Sequence, residues 1–247
     1  MSRQLMIYEN ATPLSAEAHR NISVRSGTSY AFARTLNSVP IVVGEFEKVG
    51  AEYPIVFAGE GEAMTPAAVL GLRADENLFV DDKGGWTGDY VPAFLRRYPF
   101  VFASGDEAGE KLTLCIDTAF EGVNEEGRGE RLFDSEGNRT QYLGQMLQFT
   151  SDYQVQHNTT RAFTAKLREL DLLEPATATI TLPDGTNLSL TGFQRVSAEK
   201  LAGLEDAQVL EMFRSGMLGL VHGHLGSLAH LTGLMRLLGA RGTDKAA

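Results

Sequence analysis

The residues best equipped for chemistry in this 247-residue chain are five histidines, a single cysteine and an adjacent arginine pair set among aromatics. His19, His157, His222, His224 and His230 do not build a metal site by spacing. A His-x-His on a helix points its rings to nearly opposite sides, so His222 and His224 cannot readily share an ion. His222 and His230 would stand about 12 Å apart along a helix axis. There is no HExxH, no cysteine pair, and no His-x-Asp or His-x-Glu that would begin a facial triad. The expectation is therefore no bound metal. No cofactor is expected either, because Gly59-Glu60-Gly61 lacks the third glycine of a dinucleotide loop and no Walker-type lysine occurs. Gly226-Ser227 is not a nucleophile elbow and falls within a helical pattern. Acids abundant enough to supply an acid/base pair are present, but nothing in the sequence selects two of them.

Arg96 and Arg97 remain. They follow Trp86, the only tryptophan, and Tyr90-Val91-Pro92, and they precede Tyr98-Pro99. Two guanidinium groups beside aromatics can hold a carboxylate or phosphate. They can equally pair with internal acids such as Glu45 and Glu47. Consecutive helical residues point about 100° apart, which divides the roles: one arginine inside, the other facing an anionic group. Trp86, Tyr90, Arg96, Arg97, Tyr98 and His224 make up the candidate ligand-binding set, with a small anionic ligand as its chemistry.

The elements that must position these residues can be read from periodicity and turn residues. Residues 1–134 alternate short apolar runs with turn signals, which favours strands. Candidate strands are Tyr30–Phe32, Val39–Val43, Tyr53–Phe57 and Leu78–Val80, whereas Thr65-Pro66 followed by Ala67–Leu70 reads as a short helix. Tyr90-Val91-Pro92 begins a short helix through the arginines. Tyr98–Phe102 leaves it as a strand, and Lys111–Asp117 returns antiparallel across the loop Ser104–Glu110. Gly122–Gly129 reads as a surface loop rich in glycine and acids.

In the second half, apolar residues recur at steps of four and three from Tyr142 to Leu170 and predict a helix over 140–173. The seam turns polar at Gln156 and Thr160. Thr177–Leu182 and Asn187–Phe193 alternate around Pro183-Asp184-Gly185, a hairpin signature. Ser197 starts a short helix and Glu205–Arg214 gives another. Met217–Leu238 projects as one helix. Its oily face carries Val221, Leu225, Leu228, Leu231, Met235, Leu238 and His224, and its opposite side carries Gly219, Gly223, Gly226 and Gly233. Glycine costs about 1 kcal/mol relative to alanine inside a helix, so this face is expected to pack closely against a neighbouring backbone.

Composition sets the outer limits. Hydrophobic residues make up 43% and charged ones 22%, an ordinary globular balance. The net charge of -10 argues against nucleic acid or an anionic membrane as the main partner. Cys115 lies in an apolar run and reads as a buried, inert thiol. The apolar stretch near the end carries three histidines and Arg236, which disfavours a membrane span. No conventional secretory leader is visible at the start, so cytoplasmic residence is expected, with export to the surface by a non-classical route as the other option. The fold class expected is α+β. An antiparallel β-rich half, 1–134, would share one core with a helical half, 135–247, that has a long helix, a hairpin and a glycine-faced central helix.

One series of residues carries a family likeness. It runs Leu14-Ser15-x-x-x-His19, Val39-Pro40, Glu45-Phe46, Tyr53–Phe57, Gly71-Leu72 and Asn77-Leu78-Phe79. It continues through Trp86, Tyr90-Val91-Pro92, Arg96-Arg97-Tyr98-Pro99-Phe100, Asp184-Gly185, Gly192-Phe193 and the Ser215–Leu228 segment with His224 and Ser227. This resembles the SapC family of bacterial proteins, named from a surface-layer gene cluster. The resemblance implies a non-catalytic accessory or binding protein of a cell-surface or uptake system, with a protein partner. An enzyme whose pocket gathers Trp86, Tyr90, Arg96, Arg97 and His224 is the rival reading, and a surface-layer lattice subunit is a third.

Overall fold

The structure is a computed structural model that describes residues 7–27, 29–104, 112–181 and 187–244. Its class is α+β, with antiparallel sheets dominating the first half and helices the second. In chain order the elements begin with β1 (Ala11–Pro13), α1 (Ala16–His19), β2 (Ser23–Val24), β3 (Ser38–Pro40) and α2 (Phe46–Gly50). Then follow β4 (Ile55–Ala58), β5 (Thr65–Val69), α3 (Ala93–Arg96), β6 (Phe100–Ser104) and β7 (Leu112–Asp117). Next come β8 (Val123–Asn124), β9 (Glu130–Arg131), α4 (Gln141–Glu169), β10 (Leu173–Thr181) and β11 (Asn187–Val196). The chain closes with α5 (Ala198–Ala202), α6 (Asp206–Arg214), α7 (Met217–Ser227) and α8 (Leu231–Asp244). It divides into two compact units, each assembled from separated stretches: Met1–Phe32 with Phe94–Val155, and Ala33–Ala93 with Gln156–Ala247.

The first unit holds two small antiparallel sheets, ordered β1-β7-β6 and β8-β2-β9. The β6–β7 register pairs Phe100 with Ile116 and Phe102 with Leu114, so alternate residues of both strands share a face. Phe100, Leu114 and Ile116 join Val24, Tyr98, Phe120, Leu132, Phe133 and Leu143 in one apolar core. The β6–β7 pairing is antiparallel as expected; the remainder of its loop, 105–111, lies outside the described residues. Cys115 is buried on β7. The segment expected as a loop between Gly122 and Gly129 forms the short strand β8 and a knitted turn. The Asn124 side chain donates to the Arg128 carbonyl at 2.8 Å and accepts the Arg128 N–H at 3.0 Å.

The second unit is built on a five-stranded antiparallel sheet ordered β10-β11-β4-β5-β3. Thr65–Leu70, expected as a helix, is strand β5 and the sheet's inner neighbour of both β4 and β3. Pairing on two sides outweighs the helix propensity of two alanines, because local propensity is a weak prior against tertiary context. Two further strand expectations fail for local reasons. Ala31–Ala33 is a 3-10 turn whose first N–H is taken by the Ser29 hydroxyl. Leu78–Val80 is loop, with a single bridge from Val80 to Trp86. The β10–β11 hairpin is present in long register, and its expected turn at 183–185 lies outside the described residues. Ser197 caps α5 by accepting the Lys200 N–H.

The long helix runs as expected, and Tyr153, Phe163 and Leu167 of its seam are buried. Its polar break has a job: the Thr160 hydroxyl accepts the Val43 N–H at 2.9 Å while donating to the Gln156 carbonyl. The expected single helix over Met217–Leu238 is broken by a 3-10 turn at Leu228–His230. Val221, His224 and Leu238 are buried as projected, Leu225, Leu228, Leu231 and Met235 are half-buried, and Leu234, outside the projected face, is buried as well. The glycine face does not pack against a backbone. A Cβ added at Gly219, Gly223, Gly226 or Gly233 would meet nothing within 4 Å. Helix α2 meets α7 elsewhere at ordinary van der Waals distance: a Cβ on Gly50 would stand 3.5 Å from the Gly223 carbonyl oxygen. Among the described residues, no helix is long and apolar enough to cross a membrane.

Candidate functional site

The structure distributes the candidate residues between the two units. Trp86, Tyr90 and His224 belong to the second, and Arg96, Arg97 and Tyr98 to the first.

In the second unit, the loop 86–93 is fastened by carboxylates from α2 and its flanks. Glu52 accepts the N–H groups of Asp89 and Tyr90 at 2.9 and 3.0 Å. Glu45, itself buried, accepts the Tyr90 hydroxyl at 2.8 Å, the Ala93 N–H at 2.6 Å and the Val42 N–H at 3.2 Å. The half-buried Trp86 indole stacks on Phe79, with ring centroids 5.9 Å apart and planes at 20°. Its Nε1–H reaches the Tyr53 hydroxyl and the Tyr90 carbonyl, both at 3.2 Å. Tyr53 in turn donates to the same carbonyl. Burial, the largest influence on Tyr53, pushes its hydroxyl far above the ordinary phenol range. Trp86 and Tyr90 are thus brought together by Tyr53, and the Lys48 ammonium stands over the Tyr90 ring at 5.7 Å.

His224 has a different setting in the same unit. Its Nε2 accepts the Val196 N–H at 3.0 Å, which leaves Nδ1 protonated to donate to the Ile55 carbonyl at 2.9 Å. The ring lies edge-on to Phe57, with centroids 5.0 Å apart. One turn on, the Ser227 hydroxyl accepts the Ile55 N–H at 2.9 Å and donates to the His224 carbonyl at 2.6 Å. Together they clamp α7 to β4 and to the end of β11. Burial lowers the His224 pKa to about 4, so the imidazole is neutral at pH 7.

In the first unit the two arginines part company at the end of α3. Arg97 is only 2% exposed, and its guanidinium lies 4.4 Å from the Tyr153 ring centroid, 4.8 Å from Phe94 and 5.9 Å from Tyr8. Arg96 is exposed and lies over the Phe149 ring at 5.1 Å. Tyr98 enters a cis bond to Pro99 and donates its hydroxyl to Asp117 at 3.2 Å. Burial and the adjacent Asp117 charge both raise the Tyr98 pKa. Asp117, fully buried, also accepts the N–H groups of Glu9, Asn10 and Ala119 at 2.8, 2.9 and 3.1 Å. A carboxylate holding three backbone donors is a structural fastener of the kind that buried charge requires.

Sequence reasoning did not single out Glu52 or Asp117. It named Glu45 as an acid for an arginine to pair with and within the family likeness, but not as the fastener of loop 86–93. The signal available was their position: each stands at the boundary between an apolar run and a turn. A further feature without a sequence warning is the outer face of α6. Phe213 is 69% exposed there, with Val209 and Leu210 beside it on one arc, while Met212 is fully buried on the inner side. Among the described residues, no group of three or more His, Cys, Asp or Glu side chains could hold a metal ion.

Comparison with protein families finds a match to the SapC family model over residues 14–234. Comparison with curated proteins and with solved structures finds no match.

Proposed function

The chain belongs to the SapC family, and from that premise we propose that it is a non-catalytic accessory protein of a bacterial cell-surface or uptake system. The observation that carries this reading is the exposed Val209–Leu210–Phe213 face of α6. Leaving a phenylalanine mostly in water forgoes about 1.5–3 kcal/mol of burial, and contiguous exposed apolar groups mark interaction surfaces. Glu205 and Asp206 are exposed at the start of the same helix, so the partner it fits is a protein surface with an apolar pocket and basic groups beside it. The buried polar groups at the candidate positions support the non-catalytic side of the reading. His224 spends both ring nitrogens on backbone, and Glu45 and Asp117 spend their oxygens on backbone and tyrosine donors.

The test compares a tagged wild-type chain with a Leu210→Lys/Phe213→Asp variant in the bacterium that makes it, by native sizing of gently extracted envelope and cytoplasmic fractions. The wild type is expected in a complex larger than the purified chain, and the variant at the size of the chain alone with an unchanged melting temperature. Identical profiles for the two would sink the reading. So would a purified wild type that self-associates through the same residues, since the face would then belong to a second copy.

A further inference from the structure

The first unit has a cleft of roughly 770 Å³ bounded by α1, β6, β7 and the first turns of α4. Its walls are Leu14, Phe102, Leu112, Leu114, Leu143 and Leu147. Leu112 is 42% exposed, so part of this apolar lining faces water. The cleft is within the usual size of small-molecule sites, which are mostly apolar with a few polar groups that fix orientation.

The polar lining consists of Ser15, Thr113, Asn138 and one cation, Arg139. Arg139 and Asn138 line the cleft beside Gly137. Gly137 adopts φ 87°, a conformation open to glycine, and the Arg20 guanidinium lies against it: a Cβ there would stand 2.9 Å from Arg20 Nη2. Neither Arg20 nor Arg139 has an acidic side chain within ion-pair distance among the described residues. The acids of the turn, Asp134 and Glu136, fasten its own N–H groups. Asp134 accepts the N–H groups of Glu136 and Asn138 at 2.9 and 2.8 Å, and Glu136 accepts from the Asn138 amide. In a chain of net charge -10, Arg139 and Arg20 bring positive charge to the edge of this cleft.

We propose that this cleft binds an amphipathic carboxylate of the fatty-acid type, its alkyl chain along Leu112, Leu114 and Leu147 and its carboxylate at Arg139 and Arg20. An apolar chain alone would not use the arginines, and a small inorganic anion would leave the leucine wall wet. Chain and charge together match both halves of the lining. This site is separate from the α6 face, and its success or failure leaves that reading untouched.

The test titrates the full chain with dodecanoate and with dodecanol below their aggregation limits, by isothermal calorimetry. Dodecanoate is expected to bind saturably at one site. Arg20→Glu/Arg139→Glu should weaken it at least tenfold while dodecanol binding stays within twofold of wild type. Leu112→Glu should weaken both. Absence of saturable dodecanoate binding to the wild type would overturn the proposal. Equal loss of acid and alcohol in the arginine variant would overturn the assigned carboxylate position. A dimer that Leu112→Glu dissociates, without ligand binding, would assign the cleft to a second copy and overturn it as well.

Discussion

The Nε2 atom of His224 accepts the backbone N–H of Val196 at 3.0 Å, and this fixes the charge state that the fold can tolerate. A protonated ring would turn that acceptor into a second donor facing an N–H. The pKa of about 4 in the folded protein, lowered by burial, lies below the ordinary value of 6.5. The unfolded chain therefore binds the proton more readily between those values, so stability rises with pH across the window. The contribution is complete above about pH 6.5 and is lost as pH falls towards 4. Between pH 7 and pH 5 the loss should be about 2 kcal/mol from this residue. Urea denaturation at the two pH values is expected to show it, and His224→Gln should flatten the slope. An equally steep slope in the variant would place the pH dependence elsewhere.

The clasp around Trp86 leaves no room for a methyl group at Gly88. A Cβ there would stand 2.6 Å from Glu52 Oε1 and 2.9 Å from Trp86 Nε1, and closer still to the Tyr53 hydroxyl. Tyr53 is fully buried and cannot swing away. Gly88→Ala is expected to destabilise by about 1–3 kcal/mol, the range for overpacking. It should also shift the emission of the single tryptophan to the red as the indole loses Phe79 and gains water. Unchanged emission and an unchanged melting temperature would mean that loop 86–93 is not held as described.

Legibility from sequence followed the range of the forces involved. Signals within a few residues read through correctly: the Ser197 cap, the α4 seam, the β6–β7 and β10–β11 pairings. Signals that depend on distant neighbours did not. Ala67 and Ala68 look helical until β3 and β4 flank them. Thr160 looks like a flaw in an oily seam until the Val43 N–H arrives from 117 residues away. At the candidate residues, side-chain type was legible but partner was not. Arg97 is enclosed by the rings of Tyr153, Phe94 and Tyr8, drawn from three separate stretches. Nothing in the local sequence announces that Asp117 will gather N–H groups from the start of the chain.

The glycines of α7 yield a prediction opposite in sign to the one their clustering suggests. A Cβ at Gly223 meets open space, and φ there is not positive. Alanine should therefore fit, removing the backbone-entropy cost of a glycine inside a helix. Gly223→Ala is expected to raise stability by up to about 1 kcal/mol, read as a higher denaturation midpoint with unchanged slope. A drop of several kcal/mol would mean that this face is covered in solution by something that approaches its backbone closely.

The two arginines at the end of α3 should separate cleanly in stability. Arg97 is almost wholly buried, and its guanidinium carbon lies 4.4 and 4.8 Å from the ring centroids of Tyr153 and Phe94. A desolvated cation over a ring contributes about 2 kcal/mol or more, and truncation also leaves a cavity that the packed rings fill only in part. Arg97→Ala is expected to cost on the order of 3 kcal/mol or more. Arg97→Lys should recover little, because an ammonium cannot stack flat against two rings. Arg96 is exposed and lies over the Phe149 ring at 5.1 Å. Solvent weakens that contact, so Arg96→Ala should cost under about 1 kcal/mol. Chemical denaturation of the three variants checks the order. Equal losses for Arg96→Ala and Arg97→Ala would show that burial does not set their roles, and full rescue by Arg97→Lys would reduce the aromatic enclosure to a site for bare charge.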